Sequence, residues 1–184
     1  MKAENSSGDF ERLAMPLFDS LYNFARWLAR DETEAEDLVQ EAFSKALRGF
    51  ASFTPGTDFR AWIFRILRNT FLTSRTGLRS RMTESLDEEA EGVSVAVTWE
   101  TPESLALASA TREALQSALE RLPVEHREVV LLCDVEEMKY KEIAEVLGIP
   151  IGTVMSRVAR ARKSLRQLLA EMRPAASAGK QGQS

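Results

Sequence analysis

Residues 140–169, YKEIAEVLGIPIGTVMSRVARARKSLRQLL, decide the fold of this chain. A short amphipathic segment leads into Gly148, Ile149 and Pro150, and a longer helical pattern follows. Gly148 suits a helix C-cap, because glycine adopts the left-handed conformation at little energetic cost. Pro150 suits the entry to the next helix, where the N–H that it lacks would have had no hydrogen-bond partner. Two helices joined by a tight turn that contains glycine predict a helix-turn-helix.

The second helix of this motif has an apolar side and a basic side. The residues expected to pack inward recur at helical spacing and are Val154, Val158, Ala161, Leu165 and Leu168. The residues on the opposite side are Thr153, Ser156, Arg157, Arg160 and Lys163. Residues 151–170 contain five Arg or Lys and no acid. This side can therefore contact DNA phosphates along its length and base edges near its N-terminal end. A solvated basic face on a structural helix is the alternative interpretation.

The length and composition of the chain limit the number of domains it can form and indicate its cellular compartment. Its 184 residues suffice for one ordinary domain or two small ones. No run of about 18 apolar residues predicts a membrane span, and the segment MKAENSSGDFERL lacks the apolar core of a signal peptide. The single cysteine, Cys133, excludes an internal disulfide and fits a reducing compartment. These features predict a cytoplasmic protein.

The net charge of −4 conceals a segregated charge pattern. Six acids and no base lie between residues 31 and 41, and six arginines and no acid lie between residues 59 and 83. Seven acids and no base follow between residues 84 and 104. Two basic surfaces separated by an acidic segment predict a chain that contacts an anionic polymer at two places. The acidic patches suit a basic protein partner.

The first acidic run falls on a predicted helix over residues 31–48. Asp31 and Thr33 are suitable N-caps, and the acids that follow suit the positive end of the helix dipole. The predicted apolar side of this helix ends with Leu47, and its acids lie on the other side. A metal cluster within residues 34–41 is the alternative use of these carboxylates. No histidine lies among them, so a docking face is the favoured interpretation.

The arginine-rich run falls on a second predicted helix, over residues 59–72, with Asp58 as its cap. Its basic side combines arginines with Phe64, and aromatic residues alternate with arginines along its length. Single-stranded nucleic acid requires this combination, because cations bind its backbone and flat rings stack on its unpaired bases. A role in the hydrophobic core is the alternative for Trp62 and Phe71.

Nearly every ordered segment is predicted to be helical. The predicted fold class is therefore all-α, with two small helical domains joined by an acidic flexible linker. The predicted segments are a disordered N-terminus (1–9), the first domain (10–76), the linker (77–110), the second domain (111–172) and a disordered tail (173–184).

Two parts of the chain resemble a known family. LFDSLYNFARWLARDETEAEDLVQEAFSKAL (17–47) and FRAWIFRILRNTFL (59–72) resemble region 2 of bacterial sigma factors of the extracytoplasmic-function (ECF) group. LPVEHREVVLLCDVEEMKYKEIAEVLGIPIGTVMSRVARARKSLRQLL (122–169) resembles their region 4. The order, spacing and total length match this group. The segment between the two regions leaves no room for the region 3 that lies there in housekeeping sigma factors.

The resemblance implies three sets of site residues. Docking on the β′ clamp helices of core RNA polymerase falls on Glu36, Asp37, Gln40 and Glu41. Melting the promoter and capturing non-template bases of the minus-ten element falls on Phe53, Arg60, Trp62, Arg65, Arg68 and Asn69. Reading the minus-thirty-five element falls on Thr153, Met155, Ser156, Arg157, Arg160 and Arg162. Many relatives carry a cation where this chain has Met155.

The resemblance also implies the partners and the absence of catalysis. The expected partners are core RNA polymerase, through its β′ clamp helices and β flap, promoter DNA, and an anti-sigma factor. The chain is expected to be a transcription initiation factor, associated with the nucleoid when active, without cofactor, metal or enzymatic activity. Two other functions remain open. A dimeric repressor or activator would use the same helix-turn-helix on a palindromic operator. A small DNA-processing enzyme would need metal-binding carboxylates beside the basic surfaces.

Overall fold

The structure is a computed structural model that describes the backbone of residues 2–81 and 102–172 and the side chains of residues 8–75 and 112–172. Its helices are α1 (Lys2–Ala14), α2 (Phe18–Ala29), α3 (Glu32–Gly49), α4 (Phe59–Arg81), α5 (Pro102–Arg121), α6 (Val124–Val130), α7 (Tyr140–Leu147) and α8 (Ile151–Met172). Short helical turns lie at Met15–Leu17, Phe50–Ser52 and Leu131–Val135. No strand occurs in these two ranges, which confirms the all-α prediction. We call residues 2–81 the first module and residues 102–172 the second module.

In the first module, α2, α3 and α4 pack against one another. Asp31 begins α3 as its N-cap, since its carboxylate accepts a 2.7 Å hydrogen bond from the backbone N–H of Glu34. Asp58 caps α4 in the same way, with a 3.1 Å hydrogen bond from the N–H of Ala61. Both caps agree with the sequence-based prediction, and they fix where the acidic helix and the arginine-rich helix begin.

In the second module, α7, a tight turn and α8 form the predicted helix-turn-helix. Gly148 has a φ of 65°, and its N–H donates to the carbonyl of Ala144, which ends α7. The carbonyl of Pro150 accepts hydrogen bonds from Thr153 and Val154, at 2.9 and 3.1 Å, and so starts α8. The buried side of α8 then packs on α6, α7 and α5.

The N-terminal segment differs from its prediction. Residues 2–9 were expected to be disordered, yet they form the first part of α1. Phe10 anchors this helix, because it is 4% exposed and its ring packs edge-on against Phe43, Phe50 and Phe59. The sequence alone does not reveal that anchor, since all three ring contacts come from residues more than thirty positions away in the chain.

The predicted linker, residues 77–110, is also shorter than expected. Helix α4 continues to Arg81, and α5 already begins at Pro102. The start of α5 is rich in Ala and Leu, which are strong helix formers. The central part of the linker (82–101) and the predicted tail (173–184) lie outside the described residues.

The two modules pack directly on each other, with α4 against α7. Buried apolar residues of both modules belong to one continuous cluster. Phe64, which the helical pattern predicts on the basic side of α4, is fully buried. Its ring lies 5.5 Å from that of Phe24 on α2. Neighbours on two sides give α4 a wider buried surface than a single apolar stripe predicts.

Candidate nucleic-acid interface

The outer side of α8 presents most of the residues predicted to contact DNA. Val154, Val158 and Ala161 are buried, so the side chains between them project outward. Of the predicted set, Met155, Ser156, Arg160 and Arg162 are exposed, and Thr153 and Arg157 are half-buried. Among the described residues Arg160 has no ion-pair partner, which leaves its guanidinium available to an external anion.

Arg162 differs from Arg160 because a carboxylate of its own module holds it. Its Nε donates a 3.1 Å hydrogen bond to Oδ2 of Asp134, and its Nη2 donates to Oδ1. These hydrogen bonds lower the pKa of Asp134 and keep that carboxylate ionised. Both side chains are partly exposed, so the pair contributes less than about 1 kcal/mol to stability.

Two arginines of α4 are bound by carboxylates of the second module. Arg68 donates from Nε to Oε1 of Glu128 at 2.9 Å and from Nη2 to Oε2 at 3.3 Å. Arg60 donates from Nη2 to the carboxylate and to the backbone carbonyl of Glu136, each at 2.7 Å. Both arginines belong to the predicted minus-ten set. The structure therefore engages part of this candidate surface within the chain.

The Arg68–Glu128 pair is the more deeply buried of the two. Glu128 is 2% exposed, and burial raises its pKa, although the hydrogen bonds from Arg68 oppose that shift. Arg68 also donates a 3.3 Å hydrogen bond to the carbonyl of Leu147, at the C-terminal end of α7. That end of the helix dipole is negative and favours a cation. Removing either member of the pair would leave an uncompensated charge in a buried site.

A turn between α6 and α7 presents Glu136 to α4. The N–H groups of Glu136 and Met138 donate 2.9 Å hydrogen bonds to the carbonyls of Leu131 and Leu132. Between them, Glu137 has a φ of 53°, which is uncommon for a residue other than glycine. This conformation turns the chain so that both the carbonyl and the side chain of Glu136 meet Arg60.

Arg127 forms a third link between the modules. Its guanidinium is buried and donates hydrogen bonds of 2.8–3.0 Å to carbonyls at two helix ends. The acceptors are Leu119, Glu120 and Leu122 at the end of α5, and Trp27 at the end of α2. Burial lowers the pKa of Arg127 to about 10, so the side chain remains charged at neutral pH. The positive charge of Arg127 interacts favourably with the negative dipole ends of both helices.

Three other members of the minus-ten set, Phe53, Trp62 and Arg65, line an open cavity, and Asn69 lies outside it. Arg65 and Asn69 are exposed, and Phe53 and Trp62 are half-buried with their ring centroids 5.3 Å apart. Phe71 is part of the core, as the alternative interpretation predicted, whereas Trp62 reaches the surface. The cavity measures about 350 Å³ and is lined by Ser52, Phe53, Thr54, Thr57, Asp58, Ala61, Trp62, Arg65 and, from the second module, Glu145.

The acidic side of α3 is exposed, as predicted. Glu36, Asp37, Gln40 and Glu41 all face solvent, and Glu41 forms a 2.8 Å ion pair with Lys45 one turn later. Leu47 is 47% exposed, so the prediction that it lies on the apolar side of α3 is wrong. It lies two helical turns after Gln40 and therefore on the same side. The acidic face thus ends in an apolar residue.

Sequence reasoning missed the buried charges that join the modules: Arg127, Glu128 and Glu136. One signal was present, since Arg127 and Glu128 directly precede a run of four apolar residues, 129–132. Charges at buried helical positions need a counter-charge or carbonyls nearby. The sequence does not identify those groups, because Arg68 lies 60 residues earlier.

Two further searches cover only the described residues. No group of three or more His, Cys, Asp and Glu side chains there could hold a metal ion. No described helix is long and apolar enough to cross a membrane.

Comparison with known families matches both modules. Residues 14–81 match the family described as Sigma-70 region 2, and residues 112–165 match the one described as Sigma-70, region 4. The helix-turn-helix lies within the second match except for the last residues of α8, and the arginine-rich α4 lies within the first.

Curated relatives extend the similarity across most of the chain. The chain is 39% identical over 177 residues to the ECF RNA polymerase sigma factor SigE of Mycolicibacterium smegmatis, covering 91% of this chain and 66% of that protein. It is 37% identical over 166 residues to the ECF RNA polymerase sigma factor EcfG of Rhodopseudomonas palustris, covering 84% of this chain and 88% of that protein. The chain therefore spans about two thirds of SigE and most of EcfG.

Solved structures show the same arrangement of helices. The sigma factor RpoE in complex with the anti-sigma factor NepR, from Bartonella quintana, superposes with a TM-score of 0.75 at 30% identity, covering 90% of this chain and 99% of that one. CnrH in complex with the cytosolic domain of CnrY gives a TM-score of 0.65 at 28% identity, with 92% of each chain covered. Together, these matches show that the chain belongs to the extracytoplasmic-function family of RNA polymerase sigma factors, which are transcription initiation factors.

Proposed function

We propose that this chain binds core RNA polymerase and directs it to promoters by reading two DNA elements with two modules. The observation that carries the proposal is the presence, in one chain, of a helix-turn-helix with an exposed basic side and a separate arginine-rich helix beside an aromatic-lined cavity. A helix-turn-helix alone would suit many DNA-binding proteins. The second surface is what a factor that also opens DNA requires.

The second module reads the minus-thirty-five element in this proposal. Helix α8 enters the major groove with its N-terminal half, so that Thr153, Ser156 and Arg157 face base edges and Arg160 faces a phosphate or a guanine. Met155 and Ile151 are 53% and 45% exposed and lie one turn apart. An apolar pair at this place suits the methyl groups of thymine.

The first module melts and reads the minus-ten element. Arg60, Arg65 and Arg68 contact the backbone of the non-template strand, and Asn69 lies beside them on α4. The cavity lined by Phe53 and Trp62 receives an unstacked base, because its aromatic wall offers stacking and neighbouring polar groups offer hydrogen bonds. Binding energy gained on the separated strand then helps to open the duplex.

The acidic face of α3 docks on the polymerase. Glu36, Asp37, Gln40 and Glu41 suit the basic surface expected of the β′ clamp helices, and the second module contacts the β flap. Leu47 adds an exposed apolar contact at the end of that face. Charged rim contacts mainly set association rate and orientation, whereas a buried apolar residue supplies affinity. Leu47 is therefore part of the proposed docking site.

An anti-sigma factor is the remaining proposed partner. Two sigma factors that resemble this chain were solved in complex with an anti-sigma factor or with the cytosolic domain of another protein. This support comes from relatives, and the identity of the partner is left to experiment. These partners imply that the protein acts in the cytoplasm, at the nucleoid.

The test is transcription by purified core polymerase on a pool of promoter fragments, with and without this chain. Specific initiation that depends on the chain is expected, and the enriched fragments would define both elements. DNA binding without core polymerase and without a gain in initiation would instead favour a self-sufficient regulator.

A charge reversal tests the docking assignment. Asp37→Arg places a cation against a basic surface and is expected to weaken polymerase binding at least about tenfold, while DNA binding by the second module stays unchanged. Fluorescence titration with labelled chain measures the affinity. Asp19→Arg, at an exposed acid on α2, is the matched control. Wild-type affinity in Asp37→Arg would contradict this docking site.

A further inference from the structure

We propose that Ile151 and Met155 read the 5-methyl group of a pyrimidine in the minus-thirty-five element, so that the chain accepts thymine or 5-methylcytosine at that place and discriminates against uracil and unmodified cytosine. The inference rests on the proposed assignment of α8 to that element. It adds the chemical group that the helix recognises, and it makes promoter binding responsive to methylation of cytosine in the DNA.

Two long apolar side chains are exposed on the half of α8 that enters the groove. Met155 is 53% exposed and Ile151 is 45% exposed. They are four residues apart in one helix, so their side chains lie next to each other on the same side. Single exposed apolar residues are common on protein surfaces, whereas this adjacent pair forms a small apolar patch at a defined position on a basic helix.

The charges around this patch are complementary to DNA. Residues 151–170 contain five Arg or Lys and no acid. Arg160 is exposed, and no carboxylate in the described part of the chain forms an ion pair with it. A patch bordered by cations suits a polyanion that also offers an apolar group, and in the major groove of DNA that group is the methyl of thymine. Charge complementarity therefore favours DNA as the occupant of the patch.

Small residues lie on either side of Met155 along the outward side of α8. Gly152 is three residues earlier, and a Cβ added to it would have no heavy atom within 4 Å. Ala159 is four residues later and is exposed. Met155 therefore projects beyond these neighbours, and its flexible, polarizable thioether can pack against a methyl group at a base edge.

The groups in and beside the patch do not distinguish thymine from 5-methylcytosine. The isoleucine side chain has no hydrogen-bonding atom, and the methionine sulfur is only a weak acceptor. The neighbouring Ser156 hydroxyl donates its proton to the carbonyl of Thr153 at 3.0 Å, so it offers DNA only lone pairs. An A·T pair and a G·C pair each present one amino donor in the major groove. What this part of α8 reads is therefore the methyl group, which both pyrimidines carry on the same ring carbon.

The first test removes the methyl group and nothing else from the DNA. Each thymine of a selected minus-thirty-five element is replaced singly by uracil, and binding of the full chain with core polymerase to the fluorescein-labelled duplex is measured by anisotropy. Loss of one buried methyl group is expected to weaken binding about fourfold at the position that the patch contacts. The double variant Ile151→Ala with Met155→Ala is expected to bind the thymine and uracil duplexes equally. Lys163→Ala, at an exposed cation of the same helix, is the matched control, because it weakens binding to both duplexes and keeps their ratio.

The second test adds the methyl group to cytosine. At the thymine position that responds to uracil, the A·T pair is replaced by a G·C pair that carries either cytosine or 5-methylcytosine. Methylation is expected to raise the affinity of the wild type about fourfold and to leave that of the double variant unchanged. Both substituted side chains are exposed, so the double variant is expected to keep the helical circular dichroism signal of the wild type.

The outcomes separate the inference from the proposed function. If the chain gives core polymerase no specific initiation, the proposed function fails, and the same comparisons are made with the free chain on duplexes that it selects from a random pool. Equal binding of thymine and uracil duplexes at every position overturns the inference and leaves the proposed function intact. A uracil effect that persists in the double variant, or the absence of a 5-methylcytosine effect in the wild type, also overturns it. A chain that selects no duplex in either form overturns both.

Discussion

Helices α4 and α8 both carry arginines along one side, yet the fold uses them in opposite ways. On α8, Arg160 faces solvent without an ion-pair partner among the described residues. On α4, Arg60 and Arg68 meet carboxylates of the other module at 2.7 and 2.9 Å. The difference teaches that a basic stripe defines a potential nucleic-acid surface, and that the elements packed across from it decide whether the surface is free.

The largest expected effect comes from removing the more buried arginine of α4. Arg68→Ala leaves Glu128 buried without its counter-charge, which is expected to cost about 3 kcal/mol of unfolding free energy. Arg65→Ala, three residues earlier and exposed, is expected to change it by less than about 0.5 kcal/mol. Urea titrations followed by circular dichroism measure both. Equal losses of unfolding free energy in the two variants would contradict the proposed difference between paired and unpaired arginines on α4.

The cost of Arg68→Ala should also depend on pH. Burial already raises the pKa of Glu128, and loss of Arg68 raises it further. The folded state then binds a proton more readily than the unfolded state, so its stability falls as pH rises through the folded pKa. Urea titrations from neutral to mildly acidic pH are therefore expected to show a smaller difference between Arg68→Ala and wild type at the acidic end.

The contrast between local and long-range features explains how much could be predicted from the sequence. The caps at Asp31 and Asp58, the turn at Gly148 and the buried side of α8 depend on neighbours within a few residues, and all agree with the structure. The burial of Phe64 depends on α2, whose Phe24 ring lies 5.5 Å from the Phe64 ring and 40 residues earlier in the chain. Periodicity within one helix carries no information about such a partner.

Within α8 itself, two arginines are expected to differ in their effect on DNA binding. Arg160→Ala removes an unpaired cation and is expected to weaken binding to minus-thirty-five duplex DNA about tenfold, with a decrease of about 0.9 in the slope of log affinity against log salt. Arg162→Ala should weaken it less, because Asp134 already holds that side chain. Fluorescence anisotropy at several salt concentrations measures both. A larger loss for Arg162→Ala would reverse the proposed roles.

The smallest expected effect concerns the carboxylate that holds Arg162. Asp134→Asn releases the arginine, and the loss of a partly exposed pair is expected to cost less than about 1 kcal/mol. Because the folded pKa of Asp134 is lowered, its stabilising contribution is present above the ordinary carboxylate pKa near 3.8 and is lost as pH falls through the lower folded value. Thermal melts of wild type and variant should therefore differ at neutral pH and converge in strong acid.

The site residues, like the fold, divide into features set by the local sequence and features set by long-range contacts. The sequence located the acidic face of α3, with the exception of Leu47, because alternation of charge and apolar residues is a local pattern. It located the arginines of α4 but not their engagement with Glu128 and Glu136. Those contacts join segments 60 and 76 residues apart and depend on how the modules pack.

The most direct test of this account is the distance between the modules before and after assembly on a promoter. The chain labelled with a fluorescent donor and acceptor at Ser44→Cys and Lys163→Cys in the Cys133→Ser background is measured free, with core polymerase, and with core polymerase on an active promoter. The account predicts high transfer efficiency in the free chain and loss of transfer on the promoter, where α4 and α8 bind elements about 85 Å apart. High efficiency that persists in a transcribing complex would contradict it.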